Sequence, residues 1–403
     1  MIIERPTIER VGGRARVSAV VRSDRRPAEP IVLWFEFPEK FADRLSDRGD
    51  AFLAAVLPPA MAWGEDITVR APLSPALVSG AMNFQKVFNG WLPDVYKIAA
   101  IRGETMSQPP APPTPASASA FSGGIDSFFT LLTHLPAKEP AAQHPLRYLL
   151  FIHGSDIPLA DRSTYETARA SYDRLAADLG LELVPAATNF RTTSLAGALP
   201  WGMAHGGVLI GTALAFGRMM TSFYVPSSFG FGFPAMHGSD PELDHWLSTE
   251  SLQIVHDGSE FTRVDKTKVV AEFAPSYDRL RVCWARPNGL RNCGRCEKCV
   301  RTMLTLDLLG ALPRFSTFPP GLKPDPGRWL IKTEGELLLA KEIRALALEK
   351  GRPDVADKVD RNMARCLKIR AWADKAVRLS HLTGHPAEHL RHLVFFLCHR
   401  LPL

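Results

Sequence analysis

Two stretches of this chain combine residue types and spacings suited to chemistry. The first is "SGGIDS", Ser122 to Ser127. Adjacent glycines, Gly123 and Gly124, let backbone N–H groups turn inward and approach an anion closely. A helix predicted to follow adds its N-terminal dipole and free amides, which suits a phosphate. Ser122 and Ser127 supply hydroxyl donors, and Asp126 either holds Mg²⁺ or caps the helix. No Lys-Ser/Thr pair follows the glycines, so this is not a Walker A loop. The plainer alternative is a turn with Asp126 as a favourable first-turn acid.

The second stretch places Cys283, Cys293, Cys296 and Cys299 as C-x9-C-x2-C-x2-C. Two-residue gaps let successive thiolates converge on one ion, and a fourth closes a tetrahedron. Soft sulfur selects zinc or an iron–sulfur cluster over magnesium, with zinc the expected metal.

Several elements must position these residues. Residues 1–104 read as an α+β domain, with strands at 16–21 and 31–37. A helix is expected over 74–92, with Ser74 as N-cap and Pro75 at its first position. Its Leu77, Ala81, Phe84, Phe88 and Trp91 share one face. Residues 105–115 form a Pro-rich linker. Across 116–312 strands alternate with helices, which predicts an α/β fold with a doubly wound parallel sheet. Strands are expected at 147–154, 181–186, 222–227 and 280–284 ("LRVCW"). Helices are expected at 163–180, opened by a Ser163/Glu166 capping box, at 205–220 and at 266–273. "SGGIDS" then lies at the carboxyl end of a strand, where such sheets bind ligands. Residues 313–403 read as helical.

The hexapeptide resembles the Ser-Gly-Gly-x-Asp-Ser signature of the PP-loop ATP pyrophosphatases. That resemblance implies a loop gripping the β- and γ-phosphates of ATP while a nucleophile attacks the α-phosphorus. The stretch "TRVDKTKVVAEF" resembles the Asp-x-x-Lys of the 7-cyano-7-deazaguanine synthase family, here Asp265 and Lys268, and the four cysteines follow in that family's order. The resemblance spans about residues 116–310 and implies ATP, Mg²⁺ and Zn²⁺, with Asp126 and Lys268 catalytic. It places His153, in "FIHGSDIP", where the family reads adenine; a hydrogen-bonded histidine at a strand end is the plainer reading. The implied reaction is adenylation of a carboxylate on a deazaguanine-type or macromolecular acceptor. A tRNA thiolase and a non-catalytic ATP-binding sensor are the rivals.

The remaining signals are weaker. The net charge of +6 mildly favours a polyanionic partner. Arg361, Arg365, Lys368 and Lys375 share a helical face with Trp372, which suits RNA or plain solvent. Asp156, His205, His237 and Asp240 lie near the presumed cleft. His385 and His389 sit one helical turn apart without an evident third ligand, and Cys366 and Cys398 are isolated. No apolar run is long enough to span a membrane. "MIIERPTIER" lacks a signal-peptide layout, so the cytoplasm is the expected compartment.

Overall fold

"LRYLLFIH" is apolar at nearly every position because both faces of its strand are covered. Leu149 and Phe151 face one core; Tyr148, Leu150 and Ile152 face another on the opposite side. This arrangement runs through a computed structural model that describes residues 1–107, 115–139, 141–232, 236–283 and 289–383.

The chain opens with β1 (Ile2–Ile3), β2 (Thr7–Val11), β3 (Arg14–Ser23) and β4 (Arg26–Pro38). Then come α1 (Asp50–Trp63), β5 (Ile67–Leu73), α2 (Pro75–Trp91) and β6 (Ile101–Thr105). Ser74 caps α2 as expected, its side chain accepting from the amide of Leu77. Leu77, Ala81, Phe84 and Phe88 are buried on one face. The Pro-rich stretch after β6 lies largely outside the described residues.

Past it the order is β7 (Ser117–Ala120), α3 (Ile125–Thr133), β8 (Leu146–His153), α4 (Arg162–Asp178), β9 (Glu182–Thr188), α5 (Trp201–Ala215), β10 (Ser222–Pro226) and β11 (Gln253–Asp257). These five strands are all parallel, in the order β11-β10-β7-β8-β9. The chain winds from β7 towards β9, then returns to the other side of β7. The gap between β7 and β10 is therefore a topological switch point, where a cleft opens beyond the strand ends.

The N-terminal strands do not form a separate sheet. β4 pairs antiparallel with β9, so the order continues through β4-β3-β1-β5-β6, with β2 beside β3. Asn189 reinforces the joint: it accepts from the amide of Trp34 at 2.9 Å and donates to the carbonyl of Val32 at 2.7 Å. One core spans both parts, joining α1 and α2 to α5 and the inner faces of β7–β10. The boundary expected near residue 104 is thus crossed by both sheet and core.

Two local expectations need correction. The cap of α4 is Asp161, which accepts from the amide of Thr164, while Glu166 pairs with Arg169 instead of closing a box on Ser163. "LRVCW" is not a strand over its described residues. The amide of Arg281 donates to the loop carbonyl of Gly123 at 2.8 Å, and that of Val282 to the side chain of Asn292. Those bonds leave no ladder to join, and the edge position belongs to β11, "QIVHD".

The chain closes with α6 (Arg263–Ala271), α7 (Glu297–Leu308), α8 (Glu334–Glu349) and α9 (Pro353–Thr383), the last three sharing a core around Trp329. His385, His389 and Cys398 lie outside the described residues. Among the described residues no helix is long and apolar enough to cross a membrane.

His134, just past α3, ties that helix to the sheet edge. Its Nε2 lies 2.8 Å from Asp257, its Nδ1 3.0 Å from Glu139, and its ring stacks on Tyr224 at 4.0 Å. Burial lowers its pKa, but the two carboxylates outweigh that and raise it above the usual 6.5. A raised folded-state pKa gives stability that is full below the unfolded value and fades as pH rises through the folded one. The melting-temperature gap between the wild type and His134→Gln should therefore shrink between pH 5 and pH 9. A gap independent of pH would contradict this account.

Candidate functional site

The "SGGIDS" loop joins β7 to α3 beside the switch point. Gly123 has φ of +75°, and a Cβ there would lie 1.8 Å from the hydroxyl of Tyr172, so only glycine fits. Gly124 is the N-cap of α3, and no side chain caps that end. The first amides of the helix therefore remain available to a ligand. Ser122 and Ser127 face each other at 3.4 Å, and Ser127 donates to the carbonyl of Gly124 at 3.1 Å. The Asp126 carboxylate is half satisfied: Oδ2 pairs with Arg263 at 2.8 Å, while Oδ1 is buried with no hydrogen-bond partner.

Around this loop lies a narrow cleft of about 60 Å³ whose lining includes Asp126, Asp156, Arg263, Arg281, Lys298 and Arg301. Four cations meet two carboxylates there. Arg281 and Arg301 are buried, and the Nε atoms of Arg263, Arg281 and Arg301 lack hydrogen-bond partners. Burial pushes the pKa of Lys298 down to about 8 and that of Arg301 to about 10, against opposing pulls from nearby carboxylates. Buried guanidinium groups whose hydrogen-bonding capacity is only partly met carry a desolvation cost that a bound anion would offset. With four cations against two carboxylates in its lining, the cleft can accept a negatively charged group.

It opens into a chamber of about 280 Å³, which shares Ser122, Asp126, Asp156, Arg281 and Lys298 with it. Ser127, His205, His237 and Ser239 also line the chamber. Ser239, His256 and Asp244 form a buried Ser-His-Asp cluster. Its serine and the histidine Nδ1 both bond the same oxygen, Asp244 Oδ2, at 2.6 and 2.7 Å. A nucleophilic triad needs the serine on the far ring nitrogen, so this cluster braces the wall and does not activate Ser239.

Two expected site residues sit elsewhere. Lys268 occupies the last turn of α6, not its start, where it pairs with Asp265 at 3.4 Å and Glu349 at 3.8 Å. It lines neither the cleft nor the chamber among the described residues. Asp265 closes a capping box with Thr262. The ring of His153 stacks on Tyr165 at 4.1 Å with Nε2 on the carbonyl of Pro158, and its neighbours Ser155 and Asp156 reach the chamber instead. Asp240 caps a turn, accepting from the amide of Glu242. The cations of the cleft have no short signature of their own; their one visible signal is proximity to the loop signature's partners and the cysteines.

The four cysteines do converge. Their sulfurs lie within 4.8 Å of one another, with Cys283–Cys296 and Cys293–Cys299 at 3.8 Å. A tetrahedron with metal–sulfur bonds of ~2.3 Å has edges of about 3.8 Å, so this set can hold a metal ion such as zinc. Backbone amides of Arg295 and Cys296 already point at Cys293 Sγ, as they do around a thiolate. The knot also places the cleft: Arg281 precedes Cys283 by two residues, Lys298 lies between Cys296 and Cys299, and Arg301 follows by two.

The purified protein should carry about one metal ion per chain by elemental analysis, and Cys296→Ser should lose it and lower the melting temperature, because a structural metal is coupled to folding. Metal-free wild type with the same melting temperature would refute the site.

Compared with known proteins, the chain stands without a match: no family model, curated protein or solved structure matches it.

Proposed function

We propose that this protein binds ATP in the cleft and, as the PP-loop ATP pyrophosphatases do, cleaves it between the α- and β-phosphates, here by adenylating a carboxylate acceptor with release of pyrophosphate. The observation carrying this reading is the pairing of an uncapped helix end on a Ser-Gly-Gly-x-Asp-Ser loop with four converging cations. In this reading the amides of α3, Ser122 and Ser127 hold the β- and γ-phosphates. Arg281, Lys298 and Arg301 stabilise the charge that builds on departing pyrophosphate. Asp126 Oδ1 and Asp156 supply the carboxylates to hold Mg²⁺, which when bound would neutralise further phosphate charge. The cationic role that the resemblance gave to Lys268 passes to Lys298.

The metal expected in the cysteine knot is zinc, acting as a brace for the cations. A thiolase is less well supported. Cys366, one candidate sulfur carrier, is buried in the C-terminal core with Sγ directed at the carbonyl of Trp329. An ATP sensor remains the reading if binding occurs without turnover.

Labelled ATP incubated with enzyme, Mg²⁺ and a carboxylate acceptor or cell extract should yield AMP and pyrophosphate. Ser122→Ala removes a hydrogen bond to a charged group, worth about 1.5–3 kcal/mol, or roughly tenfold to a hundredfold in rate. Lys298→Ala should slow turnover strongly and Lys268→Ala hardly at all. ADP and phosphate as products would overturn the proposal.

The RNA partner is a separate part of the reading. Arg361, Lys368, Lys375 and the 73 % exposed Trp372 lie open on α9, whereas Arg365 is partly engaged by the carbonyl of Gly327. If the stripe meets RNA phosphates, reversing Arg361 and Lys368 should weaken binding and flatten its salt dependence. Salt-insensitive binding, or none, would leave the stripe as solvated surface.

A further inference from the structure

β6 is the last strand of the sheet, at the end opposite β11, and among the described residues no strand pairs with its outer side. The bonds at its two ends show which backbone groups are left over. Just before the strand, the carbonyl of Ala100 accepts from the amide of Ile67 at 2.8 Å. Just after it, the amide of Met106 donates to the carbonyl of Leu73 at 2.9 Å. Successive residues of a strand turn their N–H and C=O groups to alternate sides. Arg102 and Glu104 therefore face β5 with their backbone, while Ile101, Gly103 and Thr105 direct theirs outward. An open edge of this kind is a template for another strand.

The side chains say which strand. Ile101 packs against the core, so the alternation puts Arg102 and Glu104 together on the opposite, open face. Arg102 is steadied there by Asp66 at 3.1 Å, and both side chains are exposed. Charges on an edge usually blunt it against pairing. Here their order makes the edge complementary to itself. When two copies of β6 run antiparallel with Gly103 opposite Gly103, Arg102 of each copy lies opposite Glu104 of the other. That register is also the one the backbone allows. Gly103–Gly103 and Ile101–Thr105 become the hydrogen-bonded pairs, and Arg102–Glu104 the non-hydrogen-bonded ones, in which facing side chains approach most closely. Slipping the register by one pair in either direction sets Arg102 against Arg102 or Glu104 against Glu104. Apolar surface borders the same edge: Leu92, Val95 and Ile98, between α2 and β6, and Met106, just past β6, are all exposed.

We propose that β6 is a dimerisation edge, which pairs antiparallel with β6 of a second copy of this chain about a two-fold axis at Gly103. The two sheets then run on as one, and every favourable contact occurs twice, as in any isologous interface. The proposal stands apart from the nucleotide reading. β6 and β7 lie far apart in the strand order, and no residue of β6 or of the segment before it lines the cleft or the chamber.

Sedimentation velocity of the full chain over a range of concentrations tests this. The wild type should sediment with twice the mass of one chain. Arg102→Glu and Glu104→Arg each set like charges opposite one another, and each should raise the dissociation constant roughly tenfold or more. Mixed in equal amounts, the two variants should recover a one-to-one dimer, because the acidic strand of one then faces the basic strand of the other. General damage to the fold by either substitution would not be cured by mixing. Thr105→Pro removes an outward N–H twice per dimer, leaves the bonds to β5 in place, and should also weaken association. If Arg102→Glu, which also gives up Asp66, folds poorly, Glu104→Arg and Thr105→Pro decide the point. A wild type that stays monomeric at every concentration would overturn the proposal and leave the edge to an extended segment of another protein. A dimer that persists unweakened in all three variants would overturn it too, since its interface must then lie elsewhere.

Discussion

Four cations held against two carboxylates in one small cleft are the constraint on which the rest of the site depends. Arg263, Arg281, Lys298 and Arg301 repel one another, and burial raises the cost by removing water. The depressed pKa values of Lys298 and Arg301 are the trace of that cost. A fold tolerates such an arrangement when each side chain is anchored independently. Arg263 is anchored by Asp126 and by the carbonyl of Ser228. The other three are carried by the segments that flank the cysteine knot, so a tetrahedral metal would fix the cations at the same time as it fixes the chain.

The sheet supplies the second half of the arrangement. Reversal of winding on either side of β7 leaves an opening at the strand ends, and the glycine turn places a helix N-terminus at its mouth. Tyr172 packs under Gly123 while the amide of Arg281 bonds its carbonyl, so the loop is pinned from both sides. The N-terminal strands extend the same sheet, and α1 and α2 cover one face of it. Among the described residues, none of that extension lines the cleft or the chamber.

Much of this was legible because it is local. The loop signature, the C-x2-C spacings and the Ser74 cap each lie within a few residues and fix their own geometry. What the sequence hid depends on distant pairing. The β4–β9 joint links Phe35 to Thr188, and no short pattern announces it. β11 is only five residues long and half polar, so the more apolar "LRVCW" looked like the better strand. Lys268 illustrates a motif read without its helix: it is five residues beyond Arg263, about 140° around α6, and so faces Glu349 while Arg263 faces Asp126. Arg281, Lys298 and Arg301 are unremarkable as sequence, and they converge only because the cysteines fold the chain back on itself.

The most direct test is the crystal structure of the protein with Mg²⁺ and α,β-methylene-ATP, which cannot be cleaved at the bond in question. The account predicts β- and γ-phosphates on the amides of α3, within hydrogen-bond distance of Ser122, Arg281 and Lys298. Density for the nucleotide elsewhere, with the four cations still facing one another and no anion between them, would contradict it.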